Sequence, residues 1–227
     1  MSIQNKNSII TVLGKTQSGK STFLCDMIEE NIDLPDTVFV VWDVCEEFSS
    51  VAPSPNAVKI SSFQQIKKYI KEKGEAPLLI YVEPFDLEVL IDTVALLAPF
   101  CKIVVVFDEI DEVIKKQKMP PFFENLINHG RHYTLNSAGD KVFCHKTNGG
   151  ISLVCAARRT TKIHNDLVSQ ASDLVIFLTV LSSDIKHIEN STKSRLSQAI
   201  DFTGLEVGQF VRFKHGVPTE NNYRIEN

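Results

Sequence analysis

With 227 residues, 43% of them apolar and 23% charged, the chain is long enough to bury one sizeable α/β core and too evenly mixed to be a disordered tail. No apolar run approaches the ~18 residues of a membrane span, and the opening MSIQNKNS has no apolar signal core. A net charge of −4 gives no whole-chain attraction to nucleic acid, although a local group of Lys and Arg on an acidic protein can still bind it.

In chain order, residues 8–13 read as a buried strand that runs straight into GKTQSGKS, residues 14–21, and then into the helix-like TFLCDMIEE. The octapeptide matches the phosphate loop G-x-x-x-x-G-K-[ST] at each fixed position, and strand, loop and helix are the setting its chemistry requires. Gly14 and Gly19 let backbone N–H groups approach phosphate oxygens, and the helix N-terminus adds positive partial charge. The nucleotide-binding stretch is therefore Gly14, Lys15, Thr16, Gln17, Ser18, Gly19, Lys20, Ser21 and Thr22. Lys20 is expected on the β- and γ-phosphates and Ser21 as a hydroxyl ligand to Mg²⁺.

Further strands are expected over residues 38–42, 78–82, 103–107, 151–156 and 174–178, with helices over 21–30, 62–73, 86–98, 120–129, 163–169 and 184–197. The alternation predicts an α/β fold with a mostly parallel sheet, and apolar strands without a polar face predict cover on both sides. Lys67, Lys68 and Lys71 fall off the apolar face of the second helix and read as solvated surface. Residues 133–150, YTLNSAGDKVFCHKTNGG, read as a polar, glycine-containing insertion into a single domain spanning 1–227. The cysteines are scattered without a C-x-x-C pair, and Cys144 with His145 lacks two further zinc ligands, so the thiols read as reduced and intracellular.

The strand IVVVFDEID, residues 103–111, ends in paired carboxylates. Asp108 is placed to hold Mg²⁺ and Glu109, one residue on, to orient or deprotonate water, whereas Asp111 fits the cap of the following turn better. A glutamate beside the metal-binding aspartate points to ATP hydrolysis rather than a GTP switch.

These stretches together resemble the HerA/FtsK superfamily of DNA-pumping ATPases. VFVVWDVCEEF, residues 38–48, is similar to the family's Asp-Pro-His-Gly-Glu-Tyr segment through Asp43 and Glu47, with Val44, Cys45 and Glu46 replacing its centre. NHGRHY, residues 128–133, and ISLVCAARRTTKIHNDLVSQASDLVIFLT, residues 151–179, follow the family's order, with an insertion after His132 and Arg158 where relatives carry a sensor glutamine. VGQFVRFKHG, residues 207–216, resembles the closing hairpin strand.

The resemblance implies a RecA-like phosphate-loop NTPase with helices on both faces of a twisted sheet, ATP and Mg²⁺ as ligands, double-stranded DNA as partner, and a homo-oligomeric ring, expected as a hexamer. It implies catalytic roles for Lys20 and Glu109, Arg131 as a finger reaching a neighbouring subunit's γ-phosphate, with Arg158 and Arg159 as the alternatives for that finger, and Arg158 as a γ-phosphate sensor in the same subunit. Without a barrel, winged helix or membrane span, the chain resembles the genome-packaging ATPases of membrane-containing double-stranded DNA viruses. Such a protein would work in the host cytoplasm or at the packaging vertex of the capsid, against vertex or portal proteins. Two basic groups are candidates for DNA contact: Lys115, Lys116 and Lys118, and Lys141, His145 and Lys146. The alternatives are a HerA-like DNA-processing motor, a nucleotide switch or assembly ATPase acting on a protein, and a small-molecule phosphotransferase.

Overall fold

The computed structural model describes residues 7–43, 57–83, 86–114, 118–146, 150–192, 201–214 and 217–224. Its strands are β1 (Ile9–Leu13), β2 (Thr37–Trp42), β3 (Ala57–Ile60), β4 (Leu79–Val82), β5 (Lys102–Phe107), β6 (Tyr133–Leu135), β7 (Lys141–Phe143), β8 (Gly150–Ala157), β9 (Asp173–Phe177), β10 (Gln209–Lys214) and β11 (Val217–Arg224). The helices are α1 (Lys20–Asn31), α2 (Phe63–Lys73), α3 (Leu87–Leu97), α4 (Pro121–His129), α5 (Asp166–Ser169) and α6 (Ser182–Thr192), with 3₁₀ turns at Ile110–Glu112 and Thr160–Lys162. The chain falls into two compact, interleaved units: one of Met1–Asn7, Cys25–Phe107 and Pro121–Leu153, the other of Ser8–Leu24, Asp108–Pro120 and Val154–Asn227.

In the first unit the strand order is β8-β5-β2-β4-β3, and β2 pairs parallel with β5 and β4, as β4 does with β3. Every residue of β2 and β4 is buried, which explains their unbroken apolar runs. The edge strand β3 is half-exposed and only four residues long, too short and too polar at Lys59 to be legible as a strand. Helix α2 starts where Gln65 Oε1 accepts from the Ser61 and Ser62 backbone N–H groups and stops at Gly74 (φ 77°), the left-handed end that glycine adopts without strain. Its lysines form the expected solvated face: Lys67 lies 4.6 Å over the Phe63 ring, and Lys68 pairs with Glu72 at 3.8 Å. Asp86 caps α3 by accepting from Glu88 N at 2.9 Å.

The insertion is not a structureless connection. Strands β6 and β7 form an antiparallel hairpin in the register Tyr133↔Phe143, Thr134↔Val142 and Leu135↔Lys141. Asn136 and Asp140 close the turn by reciprocal bonds, with Gly139 at φ 87° supplying its left-handed corner. The hairpin is tied to its own unit. Ser137 N and Oγ each donate to Asp92 at 2.9 Å, Cys144 N to His132 O at 2.9 Å, and His145 N to Ala98 O at 2.9 Å.

The second unit has the order β11-β10-β9-β1-β8. Strands β1 and β9 are parallel, Ile10↔Asp173 to Leu13↔Ile176, while β10 runs antiparallel to both β9 and β11. Phe23, Phe177 and Phe210 pack their rings edge-on or tilted beneath the loop that follows β1, with centroids 5.2–6.0 Å apart. The mostly parallel sheet with helices is the α/β class expected from the alternation. Burial pushes the Cys101 and Cys155 thiols up to about 12 and Cys144 to about 11, so these cysteines are packing groups rather than nucleophiles.

Candidate functional site

The phosphate loop leaves β1 through two glycines in the left-handed half of backbone space, Gly14 at φ 155° and Gly19 at φ 106°. A Cβ at Gly14 would stand 2.6 Å from Phe177 Cβ, and one at Gly19 would stand 3.2 Å from Gly208 Cα, so the packing against the loop has no space for a side chain at either position. The loop is pinned on three sides: Gly14 N donates to Ala157 O (3.3 Å), Lys15 N to Leu178 O (3.0 Å), and Gly208 N to Ser18 O (3.0 Å). Lys15, Thr16, Gln17 and Thr22 are exposed, whereas Ser18 and Lys20 are buried.

Lys20 opens α1, and its Nζ donates to Lys15 O at 2.9 Å. Burial pulls its ammonium below lysine's usual pKa, while the charges of Asp108, Glu109 and Asp111 push the other way. One residue on, Ser21 Oγ donates to Asp108 Oδ2 at 2.9 Å, across 87 residues of sequence. Glu109 then occupies the left-handed region (φ 60°, ψ 53°) and heads the 3₁₀ turn Ile110–Glu112, a conformation that costs a non-glycine residue about 1 kcal/mol or more and recurs at functional sites.

Strand β8 ends beside this turn. Arg158 Nη2 meets Glu112 Oε1 at 2.8 Å and Glu109 Oε2 at 3.2 Å, and its Nε lies 4.0 Å from Asp111 Oδ2. Asp111, expected as a cap, is instead buried and turned toward that guanidinium. The next residues are organised by Asp184 near the start of α6. Its carboxylate accepts from Thr160 Oγ1 (3.1 Å), Thr161 N (3.0 Å) and Thr161 Oγ1 (2.9 Å) and pairs with Arg159 Nε at 3.4 Å. A cavity of about 310 Å³ lies along these groups, with Lys15, Thr16, Arg158, Arg159, Lys162 and Asp184 in its wall.

Lys20, Ser21, Asp108, Glu109 and Arg158 are thus brought together in one unit. Arg131 stands in the other unit, exposed, in the turn between α4 and β6, and Asp43 is buried at the end of β2. Glu47, Lys115 and Lys116 lie outside the described residues, whereas Lys118, His145 and Lys146 are exposed and Lys141 sits 4.7 Å over the Tyr133 ring. Sequence reasoning missed Asp184, Glu112 and Gly208. Only the glycine carried a local cue, its place just before an apolar strand.

The residues fit a nucleotide with Mg²⁺ on three observations. Ser18 Oγ is buried without a hydrogen-bond partner among the described residues, Gly14 and Gly19 give the loop the positive-φ backbone that a phosphate cradle uses, and Ser21 with Asp108 is an all-oxygen donor pair. Among the described residues no group of three His, Cys, Asp or Glu is arranged around a metal. A Mg²⁺ that takes its other ligands from phosphates and water needs no such group.

No protein-family model matches the chain, and no curated protein matches it in sequence. Solved structures do match. The genome-packaging NTPase B204 of Sulfolobus turreted icosahedral virus 2, in complex with AMPPCP, superposes with a TM-score of 0.70 at 17% identity over 98% of this chain and 100% of that one. The fold is the RecA-like phosphate-loop fold. VirB4 of Thermoanaerobacter pseudethanolicus matches with a TM-score of 0.60 at 10% identity, over 100% of this chain and 91% of that one. The bacterial conjugative coupling protein TrwB matches with a TM-score of 0.61 at 10% identity, over 96% and 84%. The likeness to packaging and FtsK/HerA-type ATPases expected from the motifs is therefore found again in three dimensions.

Proposed function

We propose that the chain is an ATP-hydrolysing motor that drives double-stranded DNA, packing a viral genome into a preformed capsid. The observation that carries hydrolysis is the hydrogen bond from Ser21 Oγ to Asp108 Oδ2 with Glu109 next in sequence, which sets a metal-binding pair beside a carboxylate able to act on water. Genome packaging is supported by likeness to B204 over essentially the whole of both chains.

In this reading the loop N–H groups and Lys20 hold the phosphates, and Glu109 accepts a proton at a carboxylate oxygen from the attacking water. Ser21 and Asp108 would hold Mg²⁺, which would supply neutralisation of phosphate charge when bound. Arg158 answers to the γ-phosphate from within the subunit, and Arg131 reaches the γ-phosphate of a neighbour in a homo-oligomeric ring, a hexamer by analogy with the family. Movement at Glu109 is passed to DNA-facing lysines such as Lys118 and Lys141. The protein acts in the host cytoplasm, docked on a capsid vertex or portal.

ATP turnover measured with and without duplex DNA tests the reading, together with DNA affinity across a salt series. Stimulation by DNA is expected, as is a log–log salt slope of about −0.9 for each phosphate neutralised. Turnover indifferent to DNA, with no salt-dependent binding by the ATP-bound oligomer, would overturn the motor in favour of an ATPase acting on a protein partner.

A further inference from the structure

Arg158 is surrounded by acceptors of unequal strength. Its Nη2 is shared between Glu112 at 2.8 Å and Glu109 at 3.2 Å, while Asp111 faces its Nε at 4.0 Å. Asp111 is 1% exposed and Glu109 is fixed by its left-handed backbone, but the Glu112 side chain is 51% exposed and bonded at the shortest distance. The guanidinium also stands at the phosphate end of the site. It lines the same cavity as Lys15 and Thr16, and its charge is felt by Lys20.

Nη2 of Arg158 faces two carboxylates, Glu112 by a hydrogen bond and Glu109 by a close ion pair, so a third anion reaches that nitrogen only by displacing one of them. A γ-phosphate that grips Arg158 bidentately through Nη2 competes with them, and Glu112 is the competitor that solvent makes weakest, because an exposed ion pair is screened and contributes little. A terminal phosphate offers more charge and three oxygens to the same donors. A diphosphate has no group at that position and leaves the pair with Glu112 intact.

We infer that Glu112 is a specificity-determining positioning residue: it holds Arg158 against the Walker-type carboxylates and sets how strongly the site prefers a nucleoside triphosphate over a diphosphate. This rests on the proposal that the phosphate loop binds ATP. Transfer of Arg158 from Glu112 to phosphate also removes a cation from Glu109 Oε2 and leaves that carboxylate oxygen to water, so triphosphate binding and readiness for proton abstraction become one event.

The test is the affinity of the intact protein for a non-hydrolysable ATP analogue and for ADP, measured by calorimetry on wild type, Glu112→Gln, Glu112→Asp, Arg158→Gln and the double variant Glu112→Gln with Arg158→Gln. Glu112→Gln is expected to tighten the analogue by about two- to fivefold, the range for loss of an exposed ion pair, and to leave ADP unchanged. Glu112→Asp should restore the wild-type ratio in part, and in Arg158→Gln the further change of Glu112 should have no effect on the ratio. Equal shifts for both nucleotides, or none, would overturn the role of Glu112 while leaving the ATP site intact. Failure of the wild type to bind either nucleotide would instead overturn the ATP-site proposal, and this inference with it.

Discussion

Arg158 and Arg131 are the same side chain in opposite circumstances. Arg158 ends a fully buried strand, is about one-third exposed and lies within 4.0 Å of three carboxylates of its own unit. Arg131 is exposed, and among the described residues none pairs with it. Its backbone is nonetheless tightly held: Gly130 N donates to Leu126 O at 3.1 Å, His132 N to His129 O at 2.7 Å, and a Cβ at Gly130 would stand 2.6 Å from Leu126 O. A held turn that projects an exposed guanidinium suits an acceptor outside the molecule, while a caged guanidinium suits one inside. The contrast is the one expected if, as proposed, Arg158 answers to its own subunit's nucleotide and Arg131 to a neighbour's.

Arg131→Ala breaks the comparison most directly. Loss of an arginine finger costs about 10³–10⁵-fold in turnover, and mixing Arg131→Ala with Lys20→Ala subunits should recover part of it at interfaces that combine an intact loop with an intact arginine. A steady-state ATPase assay on mixed oligomers decides this, and no recovery would return Arg131 to a structural role. Glu109→Gln comes next, with turnover falling by about 10²–10⁴-fold while ATP analogue binding persists. Lys20→Ala should abolish binding itself, since Lys20 serves the ground state and Glu109 only the reaction. Equal loss of binding in both variants would remove Glu109 from the chemistry and leave Arg158 guarding nothing. The smallest expected effect sharpens the contrast from the stability side. Asp184→Ala strips the acceptor from Thr160, Thr161 and Arg159, buried or half-buried donors, and should cost about 1–3 kcal/mol in denaturant unfolding. The turn bearing Arg131, which owes nothing to Asp184, should keep its amide exchange protection.

The parts of the site written in contiguous sequence are legible in advance, because one strand, one glycine-rich turn and one helix start impose their own spacing. Asp108 and Glu109 are legible for a related reason: a buried apolar strand has little structural use for two adjacent carboxylates at its end, so their presence there points to chemistry. What could not be read was the pairing of side chains brought together by the sheet. Asp184 meets Thr160 and Thr161 across 23–24 residues without periodicity, and the left-handed Glu109 has no signature in residue type. In the fold, the expected strands and helices lie within a few residues of the observed ends, but β11 went unread although it is eight residues long, and residues 193–197 of the last expected helix lie outside the described residues. The hairpin of β6 and β7 escapes because three-residue strands give no alternation to count, although Asn136, Gly139 and Asp140 are the residues its turn requires.

The bond from Gly208 N to Ser18 O joins the phosphate loop to a stretch far from it in sequence. The loop follows β1 directly, yet its supports come from the end of β8, from β9 and from the stretch before β10, all distant from it in sequence. Closing so long a segment carries an entropic cost that only the late strands offset. The loop's geometry is thus a property of the assembled unit rather than of its own eight residues.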